Sequence, residues 1–266
     1  MRFQIASDLH LEKYPLRTFD SLIEPKCDTL ALLGDIGDPR SLEYRQFLLD
    51  AGHAFKTVLI IAGNHEYYND YGHTIFDTNL HLQELCREVS KETRGDIKFL
   101  NDTFVVIDNV LIYGATLWSW IPFNKREQIQ KMNYDFKKIP QYSVEEYTMR
   151  HQQTVRNILN LITKKHKNIV VLSHHTPWIH GTSAKRYEGT FTNCCFSTDL
   201  SDMMEAPELK VWCYGHTHFN NTQTVNKTLL TCNQKGHIGE VAGYERSRVV
   251  RVNEGLLRRR SSTSLN

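Results

Sequence analysis

The sequence has no feature of a membrane or secreted protein. No run approaches the roughly 18 apolar residues of a membrane span. Met1 to Ile5 leads directly into a predicted strand, without an apolar leader segment. The six cysteines include no Cys-x-x-Cys spacing, and the adjacent Cys194 and Cys195 suit no disulfide framework. We therefore expect a cytoplasmic protein with reduced thiols.

The sequence also has little net charge. The formal balance is +2 and the isoelectric point is about 8.2, whereas a dedicated nucleic-acid-binding domain usually exceeds a pI of about 9. Charge therefore does not indicate a nucleic-acid partner, although it leaves one open.

No internal repeat or linker divides the 266 residues, so one domain is predicted over residues 1–254. Residues 255–266 form a basic, serine-rich tail that is predicted to be disordered. The run before Ser261 and Ser262 resembles a kinase target, but a solvated tail is the favoured interpretation.

The dominant pattern is a short apolar run followed at once by aspartate, asparagine or histidine. Runs of four to six residues are typical of buried strands, and loops after neighbouring strands meet at one edge of a sheet. The pattern occurs five times: 2–6 before Asp8 and His10, 29–33 before Asp35, 57–62 before Asn64 and His65, 169–172 before His174 and His175, and 211–214 before His216 and His218.

Helical and hairpin patterns separate these runs. Tyr44, Phe47, Leu48 and Ala51 form an amphipathic stripe between two predicted strands, which indicates a βαβ unit and an α/β fold. Further helices are predicted around 82–89 and over 144–165, hairpins at 104–113 and 222–231, and a last strand at 248–252. Residues 114–140 and 177–207 show no hydrophobic periodicity that would predict a helix or a strand. The first of these segments is either an insertion over a site or a surface loop packed by its own aromatics.

The motifs are weak individually. A His-x-His after a strand is often two partly exposed histidines, and Asn64 could be the N-cap of a helix. Together they supply seven donors, more than one tetrahedral ion needs: Asp8, His10, Asp35, Asn64, His174, His216 and His218. Two ions sharing Asp35 would use them all and leave positions open for water.

The ordered set resembles the calcineurin-like metallophosphoesterases over positions 7 to 218. The matching motifs are Ser7-Asp8-Leu9-His10, Gly34-Asp35, Gly63-Asn64-His65-Glu66, His174 and Gly215-His216-Thr217-His218. The resemblance implies a four-layer α/β (α+β) fold, in which a central β-sandwich of two mixed sheets is flanked by helices. It assigns one ion to Asp8, His10, Asp35 and His218, and the other ion to Asp35, Asn64, His174 and His216.

The resemblance also implies a reaction. A hydroxide bridging the two ions would attack phosphorus, and His65 would give a proton to the departing oxygen as general acid, oriented by Asp38. This predicts a metal-dependent phosphohydrolase acting on phosphomonoesters or phosphodiesters. The alternatives are a nuclease or cyclic-nucleotide phosphodiesterase, or a non-catalytic scaffold with the same fold. The Gly34-Asp35-Ile36-Gly37-Asp38 motif continues with Pro39-Arg40, unlike the protein Ser/Thr phosphatases, which favours a compact stand-alone branch.

The cofactors and substrate contacts follow from the same reasoning. Mixed carboxylate and imidazole sites accept manganese, iron, zinc, cobalt or nickel, and manganese is the metal that we expect. The expected partner is a small phosphate ester and not a membrane, and a nucleic acid stays possible although charge does not indicate it. Substrate contacts are predicted at Tyr67, Trp118 and His175, and specificity is predicted to depend on segments 114–140 and 177–207.

Overall fold

The computed structural model describes residues 1–14, 16–164, 166–240 and 243–252. The predicted disorder of residues 255–266 lies outside these ranges. Within them, no helix is long and apolar enough to cross a membrane.

The strands form two mixed sheets. They are β1 (Arg2–Ala6), β2 (Thr29–Leu33), β3 (Thr57–Ile61), β4 (Asp96–Phe99), β5 (Thr103–Ile107), β6 (Val110–Ala115), β7 (Ile169–Ser173), β8 (Leu209–Tyr214), β9 (Thr222–Val225), β10 (Thr228–Cys232) and β11 (Val249–Arg251). The first sheet has the order β11-β1-β2-β3-β4, and the second has the order β5-β6-β7-β8-β10-β9. Strands β1 to β4 are parallel and β11 is antiparallel to β1.

The described residues contain six α-helices, which flank the sheets. They are α1 (Phe19–Leu22), α2 (Leu42–Ala54), α3 (Ile75–Glu92), α4 (Arg126–Met132), α5 (Asp135–Lys138) and α6 (Val144–Thr163). The predicted helices correspond to α2, α3 and α6. The N-cap side chains of Ser41, Thr74 and Ser143 accept hydrogen bonds from the first turns of these helices.

Alternating side chains divide each central strand between two apolar clusters. Leu59 and Ile61 of β3 face the other sheet, together with Val170 and Leu172 of β7. Val58 and Ile60 of β3 belong instead to the cluster under α2 and α3. The outer face of the second sheet packs against α6. Because strand side chains point alternately to opposite faces, these runs produce the helix, sheet, sheet, helix layering that the resemblance implied.

The five donor-bearing strands are divided between the two sheets. Strands β1, β2 and β3 belong to the first sheet, and β7 and β8 to the second. The expectation that neighbouring strands of one sheet would gather all the loops was therefore too simple. The sheets approach each other where the strands end, since the Nδ1 atom of His174 lies 2.8 Å from the carbonyl oxygen of Leu33.

Candidate metal centre

Five of the predicted metal-binding residues have a backbone conformation that side-chain-bearing residues rarely adopt. Their φ angles lie in the left-handed region: 55° at Asp8, 50° at His10, 52° at Asp35, 73° at His216 and 49° at His218. Such conformations are unfavourable for non-glycine residues and concentrate at functional sites. Here they turn the loops sharply after the strands, so that both residues of each Asp-x-His or His-x-His pair contribute to one centre.

Two glycines allow the loops after β2 and β3 to come together. A Cβ atom on Gly63 would lie 2.1 Å from Asp35 Oδ1, and one on Gly34 would lie 2.3 Å from the backbone nitrogen of Gly63. Gly34 also has a φ of +85°. The glycines of both motifs are therefore required by the close packing around Asp35.

One group of donors surrounds the Oδ1 atom of Asp35. His174 Nε2 lies 3.4 Å from this oxygen and 3.1 Å from Asn64 Oδ1. The ligand atoms of Asp35, His174 and His216 all lie within 4.8 Å of one another. A short 3₁₀ helix begins after Asn64, whose side chain makes no capping hydrogen bond. Asn64 therefore precedes a helix, as the N-cap alternative predicted. Its side-chain amide, however, faces the ligand atom of His174 rather than the helix.

A second group lies on the Oδ2 side of Asp35. His10 Nε2 is 4.0 Å from Asp35 Oδ2 and 3.1 Å from His218 Nε2. His218 Nε2 is in turn 3.3 Å from Asp8 Oδ1. Asp8 and His10 are fully buried. The two carboxylate oxygens of Asp35 therefore face two different groups of ligand atoms, which is the arrangement of a bridging ligand.

Whether the site fits cations depends on which ring nitrogen carries the hydrogen in three of the histidines. Nδ1 of His10 lies 3.1 Å from a Glu12 oxygen, Nδ1 of His218 lies 2.8 Å from a Glu240 oxygen, and Nδ1 of His174 faces the Leu33 carbonyl. An oxygen acceptor at Nδ1 fixes the hydrogen there and leaves the Nε2 lone pair toward the centre. Two such lone pairs, on His10 and His218, then face each other across 3.1 Å. A proton relieves this contact in the metal-free protein and a shared cation would relieve it in the loaded protein, so the donor set fits divalent metal ions.

Burial and the two aspartates determine the pKa values of the metal-free site. Burial would lower the pKa of His174, but Asp35 outweighs it and raises the pKa to about 10. Burial likewise opposes the hydrogen bond and charge of Asp8, which raise the pKa of His218 to about 9. The charges of His174 and His65 hold the pKa of Asp35 well below its ordinary value despite burial. Without cations, protons therefore occupy part of the site.

Glu66 connects the two loops that carry Asp35 and Asn64. Its carboxylate accepts hydrogen bonds from the backbone N–H groups of Asp35 (2.9 Å), Ile36 (2.7 Å) and Gly63 (2.7 Å). Burial, followed by the charge of Asp35, raises the pKa of Glu66 to about 7. The last residue of the Gly-Asn-His-Glu motif is thus a buried support for the loops rather than a side chain of the cleft.

His65 lies above Asp35 with its Nε2 atom 3.9 Å from Oδ2. Its Nδ1 atom is hydrogen-bonded to Glu12 at 3.2 Å, and its ring packs against Tyr68 with centroids 4.5 Å apart. In the described part of the chain, Asp38 has no hydrogen bond or ion pair with His65. The Asp38 side chain instead accepts from the backbone N–H of Arg40, 2.9 Å away. The structure therefore brings Glu12, and not Asp38, to the place predicted for the orienting carboxylate.

The whole sequence was compared with known families. The model of the calcineurin-like phosphoesterases matches residues 1–220. The chain belongs to the calcineurin-like phosphoesterase family. Family membership indicates a hydrolase of phosphoesters and implies divalent metal ions, in agreement with the donor set.

Two similar proteins align with most of this phosphoesterase. An uncharacterized protein of Acanthamoeba polyphaga mimivirus is 29% identical over 261 residues, which is 88% of this chain and 91% of that protein. The crystal structure of phosphopantetheinyl hydrolase from Mycobacterium tuberculosis aligns with a TM-score of 0.71 at 18% identity, covering 93% of this chain and 95% of that one. At this identity the structural match shows a shared fold.

The phosphoesterase has a cleft of about 530 Å³ over the two groups of donors. Both irregular segments contribute to it, with Asn133, Tyr134 and Asp135 from the first, and residues from Ser183 to Phe196 from the second. The first segment is thus partly an insertion at the site. Its Trp118 packs on aromatics outside the segment rather than on the segment's own, with the Tyr142 ring centroid 5.1 Å away.

The predicted substrate contacts lie beneath this cleft. Tyr67 is 1% exposed and its hydroxyl donates to Asn79, 2.8 Å away. Trp118 is 3% exposed and packs against Tyr67 and His175. His175 is fully buried against His216, with ring centroids 4.1 Å apart, rather than facing solvent. All three are aromatic or imidazole groups next to a motif, and packing in the core buries them.

Sequence reasoning missed several side chains of the site. Glu12 continues the alternation of Asp8 and His10, and this spacing could have revealed it. His237 has ligand atoms within 4.8 Å of those of His10 and His218. Asp135 contacts Asn64. The latter two lie in irregular stretches whose sequence carries no periodic signal.

Proposed function

We propose that this phosphoesterase hydrolyses phosphomonoesters or phosphodiesters with two divalent cations, manganese being the expected metal. The observation that carries the proposal is Asp35, whose two oxygens face separate groups of histidine nitrogens. One cation would be held by Asp8, His10, Asp35 and His218. The other would be held by Asp35, Asn64, His174 and His216. When bound, the ions neutralise the charge of the phosphate and lower the pKa of water at the site.

His65 is proposed to hold a proton for the leaving oxygen. The hydrogen bond from Nδ1 to Glu12 leaves Nε2 toward the cleft. Burial would lower the pKa of His65, but Asp35 and Glu12 together raise it, and a raised pKa favours the protonated ring. A general acid needs that protonation state. Glu12 would therefore perform the orienting role that the sequence pattern suggested for Asp38.

The size of the cleft supports an ester with a substantial organic group. About 530 Å³ is within the range of small-molecule sites, and Tyr134, Tyr187, Phe196 and Phe219 line it. Apolar rings surround the organic part, while the donors at the base face the phosphate. This supports a small-molecule phosphate ester as substrate and leaves the choice between a monoester and a diester to experiment.

A panel of chromogenic and alkyl phosphate esters tests the proposal. Metal-stripped protein would be supplied with manganese, iron, zinc, cobalt or nickel, and phosphate or alcohol release would be measured. We expect hydrolysis of at least one ester class, and a loss of about 10²- to 10⁴-fold in kcat for His65→Asn on alkyl esters, whose leaving oxygen needs a proton. The matched control is His53→Asn, an exposed histidine at the end of α2. Cleavage of labelled oligonucleotides alone would favour the nuclease, and no cleavage with any metal would favour the non-catalytic scaffold.

A further inference from the structure

Asp135 is a buried carboxylate with no place in the reaction described above. It begins α5 within the irregular segment 114–140 and is only 3% exposed. Burial raises its pKa, while hydrogen bonds from Tyr68 and Asn64 lower it. Leaving a carboxylate in such a position is unfavourable unless its oxygens are satisfied by donors, and these donors connect it to the metal centre.

The first donor is the amide of Asn64. Asn64 Nδ2 lies 3.0 Å from Asp135 Oδ1, and Asn64 Oδ1 lies 3.1 Å from His174 Nε2. Asp135 Oδ1 accepts hydrogen bonds from both the Asn64 amide and the Tyr68 hydroxyl, so it faces the NH₂ side of the amide and not the carbonyl side. Asp135 therefore selects the one amide orientation in which the oxygen, the only atom of that group able to bind a cation, points into the centre.

The second donor is the hydroxyl of Tyr68. It donates to Asp135 Oδ1 over 2.5 Å and accepts from Asn64 Nδ2 over 2.8 Å. The Tyr68 ring packs against the ring of His65. One carboxylate thus holds both a proposed metal ligand and the aromatic ring beside the proposed proton donor.

Asp135 is itself held in place by Asn133. The Asn133 amide donates to Asp135 Oδ2 over 3.1 Å, and its oxygen accepts from the backbone N–H of Asp135 over 3.0 Å. The second carboxylate oxygen is therefore also satisfied, and the carboxylate cannot turn without losing these bonds.

We propose that Asp135 is a positioning residue that fixes the Asn64 amide for binding of the second cation. This inference rests on the proposed function, because it assigns Asn64 Oδ1 to a metal ion. It also gives the insertion after β6 a role in the centre itself, besides its contribution to the cleft.

Metal titration tests this inference without relying on activity. Metal-stripped wild type, Asp135→Ala, Asn64→Ala and the double variant would be titrated with Mn²⁺ by calorimetry, after circular dichroism has confirmed their folding. We expect Asp135→Ala to weaken binding of one of two ions by about 10- to 100-fold, and to add no further loss in the Asn64→Ala background. Asp135→Asn keeps a carbonyl acceptor and should lose less. The matched control is Asp102→Asn, a carboxylate that accepts from Tyr113 and Thr154, each over 2.6 Å, and it should bind both ions as the wild type does.

Two results would overturn the inference. One is wild-type affinity for both ions in Asp135→Ala. The other is that Asp135→Ala causes the same loss of Mn²⁺ affinity in the wild-type and Asn64→Ala backgrounds. If Asp135→Ala does not fold, Tyr68→Phe replaces it in the cycle, because it removes the hydroxyl shared by Asn64 and Asp135. Its smaller loss should likewise disappear in the Asn64→Ala background, and persistence of that loss would overturn the inference. A wild type that binds fewer than two ions would instead overturn the proposed function.

Discussion

Glu12 accepts a hydrogen bond from His65, with its carboxylate oxygen 3.2 Å from Nδ1. The same oxygen lies 3.1 Å from Nδ1 of His10. Hydrogen bonds to these two histidines outweigh burial and lower the pKa of Glu12 to about 2. One ionised side chain, two positions after His10, therefore orients both a proposed metal ligand and the proposed general acid.

Replacing Glu12 with glutamine should impair His65 selectively. We expect a loss of kcat that is large for alkyl phosphates, whose leaving oxygen needs a proton, and small for p-nitrophenyl phosphate, whose leaving group does not. The double variant Glu12→Gln with His65→Asn should be little worse than His65→Asn alone. The control is Asp38→Asn, which should show no dependence on the leaving group. Equal losses for both ester types in Glu12→Gln would contradict this role.

Replacing Gly63 with alanine should disrupt both groups of donors. The added methyl would meet Asp35 Oδ1 at 2.1 Å, so the carboxylate or the loop has to move. We expect binding of both cations to weaken, as measured by equilibrium dialysis with Mn²⁺. Gly37→Ala is the matched control, since its Cβ would meet nothing closer than 3.1 Å. Wild-type metal binding by Gly63→Ala would show that the approach of the two loops is not required.

Metal binding should release protons. The pKa of about 10 at His174 and of about 9 at His218 leaves both rings protonated at pH 7 in the metal-free protein. A ligand nitrogen must be deprotonated, so about two protons should leave when the site fills. The apparent affinity for cations should consequently rise with pH until about pH 9 to 10, where these groups lose their protons in the metal-free state. Calorimetry at pH 7 in two buffers of different ionisation enthalpy measures the release, and His218→Gln should reduce it by about one proton. Binding without proton release would contradict the assigned ligands.

Variants of the cleft wall should change substrate binding more than chemistry. Tyr187 is half exposed at the cleft and stacks with Arg186, whose guanidinium lies 4.8 Å from the ring centroid. We expect Tyr187→Ala to raise KM by about 3- to 10-fold for the best ester of the panel, with little change in kcat. Tyr71→Ala removes a tyrosine that is 83% exposed and does not line the cleft, and it should leave KM unchanged. An unchanged KM in Tyr187→Ala would place the substrate elsewhere.

Much of the centre could be predicted because it follows regular strands. The apolar runs that became β1, β2, β3, β7 and β8 carry a local signal, and each donor follows directly after a run. Strand alternation also determines which face of the sheet each strand residue occupies. Periodicity therefore locates the ends of the strands and the donors beyond them.

The remaining contacts depend on tertiary packing. Asp135 reaches Asn64 from 71 positions away, and the stretch around it has no period that would predict this. The family spacing suggested Asp38 for His65, yet the loop after β1 turns at His10, where φ is 50°, and delivers Glu12 instead. The short strand β4 was also missed, because Asp96 to Phe99 alternates between charged and apolar residues over only four positions.

The most direct test of the account is the number of cations that the protein binds. Metal-stripped wild type would be saturated with Mn²⁺ and the bound metal measured per chain, alongside Asp35→Asn. The account predicts two ions per chain in the wild type, and a loss affecting both ions in Asp35→Asn, because Asp35 faces both groups of donors. Saturation at one ion or none in the wild type, or two tightly bound ions in Asp35→Asn, would contradict it.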